Sequence, residues 1–264
     1  MDLIKAAILG IVQGLTEFLP VSSSGHLELF KYFMNDDAVG EESMMMTVVL
    51  HFATALSTIF VFRKTILELI KGLFKFEWNK ETKFIAFVVV SMIPAVFVGL
   101  FLEEEMESLF NKNIPLVAIM LFITGLILFI ADRAEKTDKE LSFIHSIIIG
   151  IAQAIAILPG ISRSGATIST SVLLGLDREV AARFSFIMVL PLIFGKIAKD
   201  LLDGSFTENA SNVGELSVGF IAAFITGLFA CTLMIRIVKN SKLSYFSYYC
   251  FAIAAISLIF YYVS

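Results

Sequence analysis

Long apolar runs separated by short charged ones set the plan of this chain. Six stretches, at 46–62, 84–102, 115–131, about 180–200, 216–235 and 243–263, are apolar over most of their length. Each approaches the roughly 20 residues that a helix needs to cross a bilayer. The fourth has the shortest clean apolar core, "FSFIMVLPLIFG", bounded by Arg183 and Lys196. Two more apolar segments, 6–30 and 146–176, do not fit as simple spans. Each is broken in its middle by Pro, Gly and Ser: "FLPVSSSGHL" at 18–27 and "ILPGISRSGAT" at 157–167. In lipid such a break leaves backbone groups unpaired, which is tolerated only where protein or a wet cavity covers it. The pattern therefore predicts two re-entrant helical hairpins, each entering and leaving on one side.

The hairpins are copies of each other. At a shift of 140, residues 8–25 and 148–165 share Ile8/Ile148, Gly10/Gly150, Ile11/Ile151, Gln13/Gln153, Ser22/Ser162, Ser24/Ser164 and Gly25/Gly165. A fainter echo pairs "AVFVGLF" at 95–101 with "AFITGLF" at 223–229. The expected architecture is an all-α polytopic membrane protein of two inverted repeats, each a re-entrant hairpin plus three transmembrane helices. Repeat one covers 1–132, repeat two 145–264, and 133–144 is the linker. Three crossings per half is an odd number, which is why the second half must be inverted.

Loop charge agrees with that geometry. The loops at 63–83, 132–145 and 236–242 carry 12 Lys and Arg together, whereas those at 31–45, 103–113 and 201–215 carry 2. The positive-inside rule makes the first set, and with it the linker, cytoplasmic. Lys196 and Lys199, near the outer end of the fourth span, run mildly against the trend. With this orientation the first hairpin enters from outside and the second from the cytoplasm, so that their tips meet near the midplane. The chain is multi-pass in a plasma membrane, and 58% hydrophobic residues among 264 exclude a soluble domain of this length. The net charge of −4 argues against a nucleic-acid partner. The N-terminus lacks the basic region and cleavage site of a cleaved signal peptide. Cys231 and Cys250 read as small buried thiols, the many phenylalanines as lipid-facing and packing surface, and the acidic run at 103–107 as a solvated loop.

Ionisable residues inside the membrane mark function by default. In the hairpins these are Glu17, His26 and Arg163, with Glu28 beside the first tip; His51 and His145, near segment ends, read as structural. Where copy one has Glu17, Ser23 and His26, copy two has Ile157, Arg163 and Ala166. The scaffold is shared while the chemistry has diverged. Each tip offers serine hydroxyls and backbone N–H groups at a helix start, an anion cradle. Arg163 adds a permanent cation whose planar fork suits phosphate. His26 supplies proton transfer, Ser23 or Ser24 a nucleophile, and Glu17 a base or a hard-metal ligand. A single break of this kind is usually a locally satisfied kink; two related breaks with complementary Arg and Glu/His are a site.

"QGLTEFLPVSSSGHL" at 13–27 and "PGISRSG" at 159–165 closely resemble the two signatures of the undecaprenyl-diphosphate phosphatase (bacitracin-resistance protein) family of bacteria, over essentially the whole chain. The resemblance implies hydrolysis of undecaprenyl diphosphate to the monophosphate at the outer face of the membrane, recycling the lipid carrier for cell-wall (peptidoglycan) synthesis and giving bacitracin resistance. It implies Glu17, Ser23, His26 and Arg163 as the catalytic set, with Ser22, Ser24, Gly25, Ser162, Ser164 and Gly165 binding the substrate phosphates. It also implies a divalent cation, Mg²⁺ or Ca²⁺, at Glu17 and Gln13. Here Gln13 stands where other members have a second Glu, which points to a weaker or differently built metal site. The expected partners are a polyprenyl diphosphate and membrane lipids, with room for a homodimer. The nucleophile stays open between Ser23, giving a phosphoserine, and a water activated by Glu17 or His26. The alternative from a different class is a lipid-phosphate flippase or anion transporter using the same inverted-repeat site. A carrier needs no nucleophile beside a base, and Ser23 so near His26 favours the enzyme. The type-2 phosphatidic acid phosphatases need a His after the Arg, and none follows Arg163.

Overall fold

The computed structural model describes residues 3–33, 41–102, 105, 109, 113–135, 137–202, 213–240 and 242–263. Parts of the loops expected at 31–45, 103–113 and 201–215 lie outside the described residues. Among these residues every regular element is helical: α1 (Leu3–Phe18), α2 (Ser23–Phe33), α3 (Glu41–Val61), α4 (Arg63–Leu73), α5 (Lys80–Phe101), α6 (Ile114–Asp132), α7 (Phe143–Ile155), α8 (Arg163–Leu173), α9 (Arg178–Leu202), α10 (Val213–Lys239) and α11 (Ser244–Val263). The six expected spans appear as α3, α5, α6, α9, α10 and α11. Five of these helices are long and apolar enough to cross a membrane, and a sixth crossing is counted if α3 and α4 form one bent span. The protein is an all-α polytopic membrane protein.

The charged loop expected at 63–83 proves to be largely the helix α4, bent by 78° from α3. Its register explains the difference. Leu67, Ile70 and Leu73 alternate with Arg63, Lys64, Glu68 and Lys71, so charge count reads as loop while the apolar spacing is helical. After α4, Phe76 and Trp78 are strongly exposed, as aromatic residues are at a membrane–water boundary.

Small residues set the helix packing. A methyl group on Gly10 of α1 would run into the Gly219 carbonyl of α10, and one on Gly150 of α7 into the Ser91 carbonyl of α5. Close approach replaces the hydrophobic drive that lipid removes. Helices α6 and α11 meet similarly, with the Ser247 hydroxyl donating to the Gly125 carbonyl at 2.6 Å. On the α3–α10 contact, the Ser57 hydroxyl donates to the Phe224 carbonyl at 2.9 Å.

Buried Arg178 closes the end of α6, its Nη2 donating to the carbonyls of Ala131 and Asp132 at 3.3 Å. A cation at a helix C-terminus is favoured by the helix dipole. The segment after α6 is pinned to the α8–α9 turn, with the Lys139 N–H donating to the Gly175 carbonyl at 3.1 Å. Beneath the first break, Phe18 packs edge-on against Phe186 of α9, ring centroids 5.6 Å apart.

Candidate active site

Both breaks fall where Pro, Gly and Ser predict them, at 19–22 and 156–162, and the helices that follow start at equivalent residues, Ser23 and Arg163. The Ser22 hydroxyl accepts from the Gly25 N–H at 3.2 Å, and its twin Ser162 from the Gly165 N–H at 3.0 Å. These are N-caps, which satisfy one orphan donor of each first turn. Ser24 and Ser164 each lie 3.3 Å, oxygen to oxygen, from the capping serine. The other first-turn N–H groups have no acceptor within their own helix, the property that lets a helix start hold an anion. The tips differ in how they turn. Ser22 has a left-handed backbone (φ +71°), whereas in the second tip Gly160 takes that conformation (φ +96°). A side-chain-bearing residue adopts it at a cost, found most often where function requires it.

The two tips touch. A Cβ on Gly25 would lie 3.0 Å from the Gly160 Cα, and the Ser164 hydroxyl donates to the Leu19 carbonyl at 3.5 Å. Thr124 of α6 steadies the second tip, its hydroxyl donating to the Gly160 carbonyl and accepting from the Ser162 N–H, both at 3.1 Å.

Glu17, buried at the end of α1, joins the tips electrostatically. Its Oε1 accepts from Arg163 Nη2 at 2.7 Å. Its Oε2 accepts from the Ser23 hydroxyl at 2.8 Å and from Gln13 Nε2 at 3.0 Å. The second guanidinium arm, Nη1 of Arg163, donates to the Ser185 carbonyl of α9 at 3.1 Å. A carboxylate accepting from a guanidinium, an amide and a hydroxyl satisfies the requirement for a buried charge. Chemically, this set presents a hydroxyl whose proton already points at a base, beside a forked cation.

Four expected residues, Gln13, Glu17, Ser23 and Arg163, are thus brought together. The six expected phosphate-binding residues form the two caps around them. His26 is not part of the carboxylate cluster. Its Nδ1 lies 2.8 Å from the Ser22 carbonyl and its Nε2 2.8 Å from the Tyr249 hydroxyl of α11. A carbonyl only accepts, so Nδ1 carries the proton; in the neutral ring Nε2 accepts from Tyr249. The two rings stack at 5.6 Å with 9° between their planes.

His51, read from the sequence as structural, stands on α3 with Nε2 3.8 Å from Glu17 Oε2. Its position inside an apolar span was the signal available, since an ionisable residue there is functional by default. No local pattern points to Tyr249, 223 residues from His26. Among the described residues no group of three or more His, Cys, Asp or Glu side chains is placed to hold a metal ion. What the site does offer is Gln13 Oε1, buried without a hydrogen-bond partner, next to the Glu17 carboxylate. Two hard oxygens fit a cation that draws its remaining ligands from phosphate and water, as Mg²⁺ commonly does.

Comparison with known proteins gives one consistent picture. The family model described as "Bacitracin resistance protein BacA" matches residues 6–256. A protein of Christiangramia forsetii named undecaprenyl-diphosphatase is 59% identical over 262 residues, covering 99% of both chains. Proteins of the same name from Bacteroides fragilis (43% identical, 98% of both chains) and Methanococcus vannielii (40% identical, 96% of this chain and 98% of the relative) are also similar.

Proposed function

The chain belongs to the bacitracin resistance protein BacA family, and on that footing we propose that it hydrolyses undecaprenyl diphosphate to undecaprenyl phosphate and inorganic phosphate. The product is the lipid carrier of cell-wall synthesis, and its recycling confers bacitracin resistance. The observation that carries the chemistry is the buried chain of contacts from Ser23 through Glu17 to Arg163. A carrier protein needs the cation but has no use for a hydroxyl directed at a carboxylate.

The residues suggest how the reaction runs. The terminal phosphate takes the Arg163 fork and the free N–H groups of the tips, which neutralise the charge that develops on the phosphoryl oxygens. Glu17 gives up its place on Arg163 and remains beside the Ser23 hydroxyl. Ser23 Oγ attacks the terminal phosphorus, its proton passes to Glu17, and the bond from phosphorus to the bridging oxygen breaks. Undecaprenyl phosphate leaves, and water then opens the phosphoserine. His26 lies three residues from Ser23 on α2, hence on the same helix face, and serves the water step as a proton carrier. Gln13 and Glu17 would hold a divalent cation, which supplies further neutralisation of phosphate charge. Purified protein in detergent, given isoprenyl diphosphates of several chain lengths with and without a chelator, tests the activity. No phosphate release from undecaprenyl diphosphate under either condition would reject it.

Tyr249 acts through His26. Tyr249→Phe removes the hydroxyl on Nε2 but keeps the stacked ring, so kcat should fall about 3- to 10-fold, the scale of one lost hydrogen bond. KM should stay within twofold of wild type in the same assay, about 0.4 kcal/mol. In a variant lacking His26 the same substitution should cost nothing further; an effect confined to KM, or an equal loss in that background, would show that the hydroxyl does not work through the imidazole.

The inverted-repeat reading (repeats 1–132 and 145–264, cytoplasmic linker 133–144) draws support from the packing. Gly10 on Gly219 and Gly150 on Ser91 are corresponding contacts, because Gly10 aligns with Gly150 and Ser91 with Gly219 at the shifts of the two sequence echoes. The loop charges favour a site that opens on the external face of the plasma membrane. A cysteine at Glu105 should react with an impermeant thiol reagent applied to intact cells, and one at Trp78 should not. The opposite pattern would invert the topology. Native Cys231 and Cys250 are buried and give little background.

A further inference from the structure

Arg163 has a second face. Besides reaching Glu17, it borders a cavity of about 580 Å³ between α5, α7 and α9, whose lining includes neither Glu17 nor Ser23. Gln153 of α7 also lines it, with 2% of its surface exposed, and neither its Oε1 nor its Nε2 has a hydrogen-bond partner. Its twin shows what is missing. Gln13 gives Nε2 to the carboxylate four residues on, Glu17; four residues after Gln153 stands Ile157, which lines the cavity too. Duplication kept the amide, and divergence removed its partner. A buried amide left unpaired is strongly disfavoured unless something polar meets it.

The surroundings define that something. Arg163 borders the cavity that Gln153 lines, and Lys196 and Lys199 line it further along α9. Met92, Val96 and Leu192 make the rest apolar. The volume is many times that of a single water, which takes about 30 Å³ in the liquid. A cation and an unpaired amide lining one cavity select an oxyanion, and the apolar walls accept hydrocarbon. We propose that this cavity is a second phosphate site, in which Gln153 and the outer face of Arg163 hold a phosphate monoester. The choice of ligand rests on the phosphatase reading. The same oxyanion chemistry comes from two sources there, the lipid monophosphate and free phosphate, and the apolar walls favour the first.

Thermal unfolding of the purified protein in detergent tests this without turnover. The titrants are farnesyl phosphate, inorganic phosphate and, as the uncharged control, farnesol. The variants are Gln153→Leu, nearly isosteric and apolar, and Gln153→Glu, which sets a negative charge in the cavity that Arg163 borders. Farnesyl phosphate should raise the wild-type Tm. Its apparent Kd should weaken at least tenfold in Gln153→Leu and further in Gln153→Glu, while unliganded Gln153→Leu melts no lower than wild type. Ser23→Ala, whose hydroxyl meets Glu17 and does not line the cavity, should bind as wild type does. A Gln153-dependent shift of equal affinity with inorganic phosphate supports the site and names free phosphate as its occupant. Equal Kd values in wild type and both Gln153 variants, an equal response to farnesol, or loss of binding in Ser23→Ala each overturn the proposal. Absence of undecaprenyl diphosphate hydrolysis by the same preparation would instead remove the phosphatase reading and leave the Gln153-dependent binding readable.

Discussion

Arg163→Lys should lower kcat/KM for undecaprenyl diphosphate by at least about 100-fold, as loss of a preorganised transition-state donor does. The amount of protein in the membrane should stay near wild type. The reason lies in the two arms of the guanidinium. Nη2 meets Glu17 at 2.7 Å while Nη1 meets the Ser185 carbonyl at 3.1 Å, so one planar group spans from the first tip to α9. A lysine ammonium retains the charge but is a single point, unable to keep both contacts or to present a fork to phosphate. Phosphate-release kinetics and immunodetection of the membrane fraction read the two quantities. Activity within tenfold of wild type would show that charge alone suffices at this position and would undo the fork argument.

Glu17→Gln should depress kcat by about 100-fold or more, the usual scale for loss of acid–base participation. The direction of KM separates the base from a mere binding residue. In the resting protein Glu17 occupies the Arg163 fork, in competition with substrate phosphate. A neutral amide competes less well, so KM should be unchanged or lower and inhibition by inorganic phosphate stronger. Stability should fall as well, because Arg163 loses its counter-charge. For fully buried pairs that loss is about 3–5 kcal/mol; the partly exposed Arg163 side chain, at 16%, calls for a smaller value. A raised KM with kcat intact would make Glu17 a substrate ligand and leave the proton of Ser23 to another group.

The spans and the breaks were legible because each has a local physical cause. Hydropathy over about 20 residues reports membrane thickness, and Pro20, Pro159 and Gly160 interrupt helices wherever they stand. That Glu17 and Arg163 belong to one site followed from loop charge and repeat parity, with no knowledge of packing. Helix α4 was hidden because its charges outweighed its spacing. His51 and Tyr249 were hidden for a different reason: each reaches the site from a separate span, α3 or α11, and nothing along the chain states which spans are neighbours. His26 was correctly placed at the tip, but the direction its ring faces depends on Tyr249. The left-handed backbone of Ser22 also has no signal in a run of three serines, where glycine is the residue that usually announces it.

The Glu17–Arg163 pair also bears on which lipids can be substrates at all. A membrane enzyme works among a vast excess of phospholipids, whose phosphodiester groups carry one negative charge and meet the same surface. Any of them entering the site must displace a carboxylate that already sits 2.7 Å from the guanidinium. A singly charged diester gains no more from Arg163 than the carboxylate loses, and it is bulkier. A terminal phosphate on a diphosphate brings higher charge and three unsubstituted oxygens, enough to win the exchange. On the proposed mechanism the resting ion pair would act as a charge threshold against the singly charged lipids of the bulk bilayer.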